Sequence, residues 1–179
     1  QNFHALSLLP TAPAGYASVA SETKAAAIRT SLLPLEQQHP GITHYMIHSF
    51  DSPQLAADAL PAARAYSRIA PDSPHALHMP SHIFTRLGLW QDSIASNLAS
   101  ADAGRRLVAR RHPGAASMDT VHALDYLEYA YLQIGDEAAA RVCAAMDGGA
   151  SLPAAITTAP SSAAPSRRAR AAGAAAPAS

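Results

Sequence analysis

Histidine is the residue type in this chain whose number and spacing point most directly to chemistry. Nine are present: His4, His39, His44, His48, His75, His78, His82, His112 and His122, and six of them fall between positions 39 and 82. His44 and His48 stand four residues apart, as do His78 and His82, with His75 three residues before His78. On a helix, residues three and four apart share a face, so each pair presents two imidazoles side by side. Asp51 continues the first face if the helix persists that far. Two such pairs on neighbouring helices, with axes about 8–10 Å apart, bring four rings together. That donor set, His44, His48, His78 and His82, suits a divalent transition metal such as zinc, copper, nickel or iron. Asp51 and Asp125 are the carboxylates placed to serve as ligand or as acceptor for a ring N–H.

The same residues also fit a groove. His122, Tyr126, Tyr129 and Gln133 recur at helical spacing further along, so His44, His48, His78, His82, His122, Tyr126 and Tyr129 can line one surface that takes a peptide or protein segment. This groove is the leading expectation. Metal binding, with or without catalysis, is the alternative, and a structural spacer whose histidines serve packing is the third. His44-Tyr45-Met46-Ile47-His48 lacks the glutamate of the HExxH protease motif. No nucleophile or oxyanion element is identifiable, so no catalytic residue is assigned and a non-catalytic binding protein is favoured. His39 and His112 each precede Pro-Gly and read as helix-start residues.

The elements that must position these residues read as helix after helix, with no alternating strand pattern. Residues 2–9 look like the end of a helix. Pro10, Pro13 and Gly15 form a loop, and a helix follows over about 18–37, bent or ended by Pro34. Further helices span 40–50, 51–70 with Pro61 inside, and 75–87 with Pro80 inside. Three more cover 91–110, 118–134 and 136–146. Leu55, Ala59, Ala63, Tyr66 and Ala70 make one apolar face, and Ile94, Leu98, Ala101 and Val108 another. Pro80 lies between His78 and His82, where a kink re-aims the two rings.

Two of these helix pairs share a finer pattern. Phe84, Gly88, Trp90 and Ser93 have the offsets of Tyr131, Gly135, Glu137 and Ala140. The aromatic fills the space between paired helices, glycine permits the tight turn, and the small residue lets them approach. In this the chain resembles the tetratricopeptide-repeat family, with Leu127, Tyr131, Gly135 and Ala140 on that repeat's Leu, Tyr, Gly and Ala positions. Phe84, Gly88 and Trp90 match more loosely, with Ser93 in place of the usual alanine. The segments from His39 to His48 and from Pro74 to Gly88 are similar to those of large bacterial proteins of that family. The resemblance implies an all-α, right-handed solenoid of stacked antiparallel helix hairpins with a binding role, over most of 1–147. It implies also that the chain is part of a longer repeat array.

Composition bounds the rest. The 179 residues, 49% of them hydrophobic, suffice for one core or a short array. Thirteen basic residues balance thirteen acidic ones, which argues against a general nucleic-acid or anionic-membrane binder. A single cysteine, Cys143, excludes an intramolecular disulfide framework. No apolar run approaches the about 20 residues of a membrane span. The chain opens at Gln1 in mid-pattern, which reads as a fragment, and its compartment is not legible. Residues 148–179 are dominated by alanine, serine, proline and glycine, with Arg167, Arg168 and Arg170 their charges. They read as a disordered low-complexity tail after the helical region 1–147.

Overall fold

The computed structural model describes His4, Ser7 and residues 16–32, 39–112, 115–146 and 151–157. Among these the chain is helical throughout, without a strand. The helices are α1 (Tyr16–Leu32), α2 (Pro40–Phe50), α3 (Ala56–Ile69), α4 (Pro74–His78), α5 (Pro80–Arg86), α6 (Trp90–Arg111), α7 (Met118–Ile134), α8 (Glu137–Ala144) and α9 (Ala154–Thr157). The expected loop at Pro10–Gly15 and the expected bend at Pro34 lie outside the described residues. No described helix is long and apolar enough to cross a membrane.

Local chemistry fixes the helix starts. His39 caps α2: its Nδ1 accepts from the N–H groups of Gly41 and Ile42 at 3.1 and 3.3 Å, and Pro40 occupies the first turn. Ser73, Ser117 and Asp136 cap α4, α7 and α8 in the same manner. His112 differs from its expected role. It closes the C-terminal end of α6, its backbone N–H donating to the Val108 carbonyl, while Ser117 starts the next helix. Gly88 and Gly135 hold φ of +67° and +81°, the left-handed conformation that turns the chain after α5 and α7.

Pro80 breaks rather than bends its helix. α4 ends at His78, Met79 bridges in helical conformation, and α5 begins at Pro80, which has no N–H to give. Ala56–Ile69 carries Pro61 within an unbroken helix.

Two apolar clusters form. The first gathers Met46, Ile47, Phe50, Ala59, Ala63, Tyr66, Met79, Ile83 and Phe84 from α2 to α5. The second gathers Ile94, Leu124, Leu127, Tyr131, Ala140, Cys143 and Ile156 from α6 to α9, with Trp90 packed against it. Ala59, Ala63 and Tyr66 of the first expected face are buried in the first cluster, with Leu55 and Ala70 half-buried against it. Of the second face, Ile94 and half-buried Leu98 join the second cluster, and Ala101 and Val108 join neither. Part of the expected tail also belongs to the second cluster. Ile156 is fully buried and its carbonyl accepts from the Tyr131 hydroxyl, with Leu152 packed alongside. Those two are large apolar residues in an otherwise small and polar stretch, and their burial offsets the entropy of ordering a short segment.

Between the clusters runs a polar seam. Ser93, Asn97, Ser100 and Gly104 lie on one face of α6 and are all buried. The Ser96 hydroxyl donates to the Leu77 carbonyl and that of Ser100 to the Pro74 carbonyl, tying α6 to α4. On the other side the Thr120 hydroxyl donates to the Ala101 carbonyl at 3.1 Å, tying α7 to α6.

Candidate metal centre

The histidines sit where α2, α4, α5 and α7 meet this seam. They gather as two triads, His44–His48–His75 and His78–His82–His122, in each of which one ring nitrogen per residue lies within 4.8 Å of the others. The four rings expected to converge on one point are thus divided. Each i,i+4 pair stays together and takes a third histidine from elsewhere. His75 joins the first pair from the opening turn of α4, and His122 joins the second from α7.

In the first triad His44 Nε2 lies 3.1 Å from both His48 Nε2 and His75 Nε2. The His44 ring is stacked on Tyr45 at 4.9 Å and on Tyr66 at 5.9 Å between centroids, which holds its plane. His48 and His75 are exposed and His44 is half-buried.

The second triad is more deeply set. His78 is fully enclosed at 1% exposure, His82 is half-buried and His122 is exposed. His78 Nε2 faces His82 Nε2 at 3.1 Å across the helix break. The His122 ring lies 4.5 Å from that of His78, and Tyr126 meets His78 edge-on at 4.7 Å.

The tautomers of this pair follow from its partners. Asn97 donates through Nδ2 to the Ser93 carbonyl at 2.9 Å, so its Oδ1 is turned to the ring and accepts from His78 Nδ1–H at 2.7 Å. His82 Nδ1–H donates to Asp51 Oδ2 at 2.9 Å, with the Tyr126 oxygen 3.2 Å away. A carboxylate is acceptor only, so this nitrogen must carry the proton. Burial would raise the Asp51 carboxyl, but hydrogen bonds from His82 and Arg86 outweigh it and hold it down at about 2. Burial pushes His78 down to about 3, against the Asn97 hydrogen bond and with help from His82, His122 and His75. His75 is also lowered, by burial first. With both Nδ1 protons committed, the two Nε2 atoms face each other at 3.1 Å, where one cation, a proton or a metal ion, can be shared between them.

A proton serves two nitrogens, whereas three converge in each triad. Adjacent ligands on a tetrahedral ion at about 2.0–2.1 Å are about 3.3 Å apart, close to the spacing present. The Asp51–His82 and Asn97–His78 bonds are of the kind that orient metal-binding imidazoles.

Asp51 accepts from His82 through one oxygen and from Arg86 Nε at 2.8 Å through the other. Asp125 is exposed and lines an open cleft of about 290 Å³ with Asp51, His82, Arg86, Tyr126 and Tyr129. Tyr129 stands 48% exposed, edge-on to Trp90 at 5.8 Å. Of the seven expected groove residues, His82, Tyr126 and Tyr129 border the cleft, while His44, His48, His78 and His122, with His82 again, belong to the triads. His75 had the right helical offset but was not placed among the ligands, and Asn97 was missed. A polar residue recurring with Ser93 and Ser100 at helical spacing was its signal.

The remaining polar groups have structural surroundings. Arg105 and Arg106 pair with Asp102 on the outer part of α6. Cys143 is buried in the second cluster, where burial pushes its thiol up to about 11.

No family model, curated protein or solved structure matches this chain. The chemistry of the site therefore rests on its own geometry.

Proposed function

We propose that this chain is a transition-metal-binding protein whose primary site is His78, His82 and His122. The observation that carries the reading is the convergence of three ring nitrogens within 4.8 Å, two of them Nε2 atoms 3.1 Å apart whose opposite nitrogens are committed to Asn97 and Asp51. Three imidazoles, with the cleft opening beside His82, would leave a tetrahedral ion one further position for water or an exogenous ligand. The ion belongs to the class that imidazole favours: zinc, copper, nickel or iron. A solenoid of tetratricopeptide-like hairpins is the scaffold this reading takes, supported by the left-handed Gly135 between α7 and α8 and the buried Tyr131 and Ala140.

Elemental analysis of the untagged protein, before and after chelation and reloading, tests the reading. About one or more tightly held ions per chain, reduced in His82→Ala, is expected. A folded protein that takes up neither zinc, copper nor nickel at micromolar concentration sinks it.

The open cleft favours a second reading, a groove for a peptide segment. Exposed Tyr129 and half-buried Tyr126 offer apolar faces, and Arg86 with Asp125 offers charge at the rim. Peptides selected from a random library on the parent protein are expected to bind Tyr129→Ala at least tenfold more weakly. Equal binding to both proteins removes the cleft from consideration.

A further inference from the structure

We infer that the two triads act together as one dinuclear copper centre: His44, His48 and His75 hold a second ion beside that of His78, His82 and His122, and a small oxygen-donor ligand, hydroxide, bridges the pair. The inference rests on the metal-binding reading and adds to it a second ion, its identity and a bridge.

Proximity is the first support. The triads abut through two ring contacts, His48 to His82 at 6.0 Å and His75 to His78 at 6.3 Å between centroids. An ion in each triad lies about 2 Å from its nitrogens. Rings this close across the gap bring the two ions toward the about 3.5–4 Å typical of two-metal sites. Convergence within the first triad is independent of the second. His44 Nε2 has two ring nitrogens at 3.1 Å, and one proton cannot lie in line with both.

The donor set narrows the metal to the ions that imidazole favours, and copper(II) is the one the inference takes. Six imidazoles supply nitrogen alone. Paired iron or manganese ions in helical bundles are held largely by glutamates, and harder cations by oxygen. Here the nearest carboxylate, Asp51, is engaged by His82 through one oxygen and Arg86 through the other. Copper(II) heads the affinity order for such nitrogen sites.

Charge calls for the bridge. Two copper(II) ions among imidazole ligands place four positive charges in a half-buried pocket, against which Asp51 is already paired to Arg86 and Asp119 acts on His75. An anion between the ions offsets this at the shortest distance to both. Water reaches the second triad at His82, which borders the open cleft.

Titration of the chelator-treated chain with copper(II), followed by gel filtration, elemental analysis and an EPR spin count, tests the inference. Two coppers per chain with most of the expected two spins missing are expected, because a single-atom bridge couples them. His75→Ala and His122→Ala, both changes at exposed side chains, are each expected to bind one copper with one full spin. Two coppers with two full spins mean independent sites, or adventitious binding at His4, His39 or His112, and overturn the inference. One copper in the parent chain overturns the second site while leaving the metal-binding reading intact. No copper in a folded chain removes both.

Discussion

His78 shows how much one side chain can be constrained. Its Nδ1–H is bound to an amide that Ser93 holds in orientation, and its Nε2 meets a second ring similarly held by Asp51. Outer hydrogen bonds of this kind are worth 10- to 100-fold in metal affinity. Asp51→Asn keeps the size but removes the charge. It is expected to weaken metal binding by about that factor in competition with a chromophoric chelator. Unchanged affinity would show that Asp51 serves Arg86 and not the site. The metal-free protein should also respond to acid. The folded His78 value, about 3, lies below the ordinary 6.5, so the unfolded chain binds the proton first. Its contribution is complete above about pH 6.5 and is lost progressively as pH falls toward 3. Asp51 acts lower, between its ordinary value of 3.8 and about 2. Between pH 7 and 5 the metal-free fold is therefore expected to lose about 1–2 kcal/mol in urea titrations. His75, lowered as well, pulls the same way, with His82 and His122 facing the same space. If His78→Gln loses as much over that range, His78 is not the source.

At the level of helices, α6 determines whether the seam can close. A Cβ built on Gly104 would lie 2.7 Å from Thr120 Oγ1 and 2.8 Å from Ser117 Oγ, both short side chains with little room to withdraw. Ser117 caps α7 and the Thr120 hydroxyl bonds across to Ala101, so α7 would have to move off α6. Gly104→Ala is expected to destabilise by about 1–3 kcal/mol in chemical denaturation, despite its gain in helix propensity. Stability within about 0.5 kcal/mol of the parent would mean that the helices separate freely. This helix also marks the limit of what the sequence showed. Apolar periodicity located Ile94 and Ala101, and it found α7 from Met118 to Ile134. It passed over Asn97, Ser100 and Gly104, because a polarity pattern scores buried polar residues as surface, and Ser93 was found only through the repeat pattern. Their burial depends on carbonyls and rings supplied by α4 and α5, which no local pattern encodes. The i,i+4 histidine pairs were legible for the opposite reason, since a single helix suffices to align them. Which third histidine completes each pair depends on how α4 and α7 pack, and spacing along the chain carries no trace of that.

Across the whole molecule, the triads lie where the two apolar clusters are joined by hydrogen bonds instead of a continuous core. His78 and His82 belong to the helices of the first cluster, and His122 to α7 of the second. An ion held by all three therefore links both halves through bonds stronger than any single contact in the seam. A ligand that binds only the folded state stabilises it by about 2.7 kcal/mol at a hundredfold excess over Kd. Metal at that excess is expected to raise the free energy of unfolding by about this amount. The exposed His122 side chain allows a clean separation of effects. His122→Ala should leave the metal-free stability within about 0.5 kcal/mol of the parent, as surface changes usually do. In that variant most of the gain from metal at the second triad should disappear. Should the full gain survive in His122→Ala, the ion is held within the first half alone and does not join the two clusters.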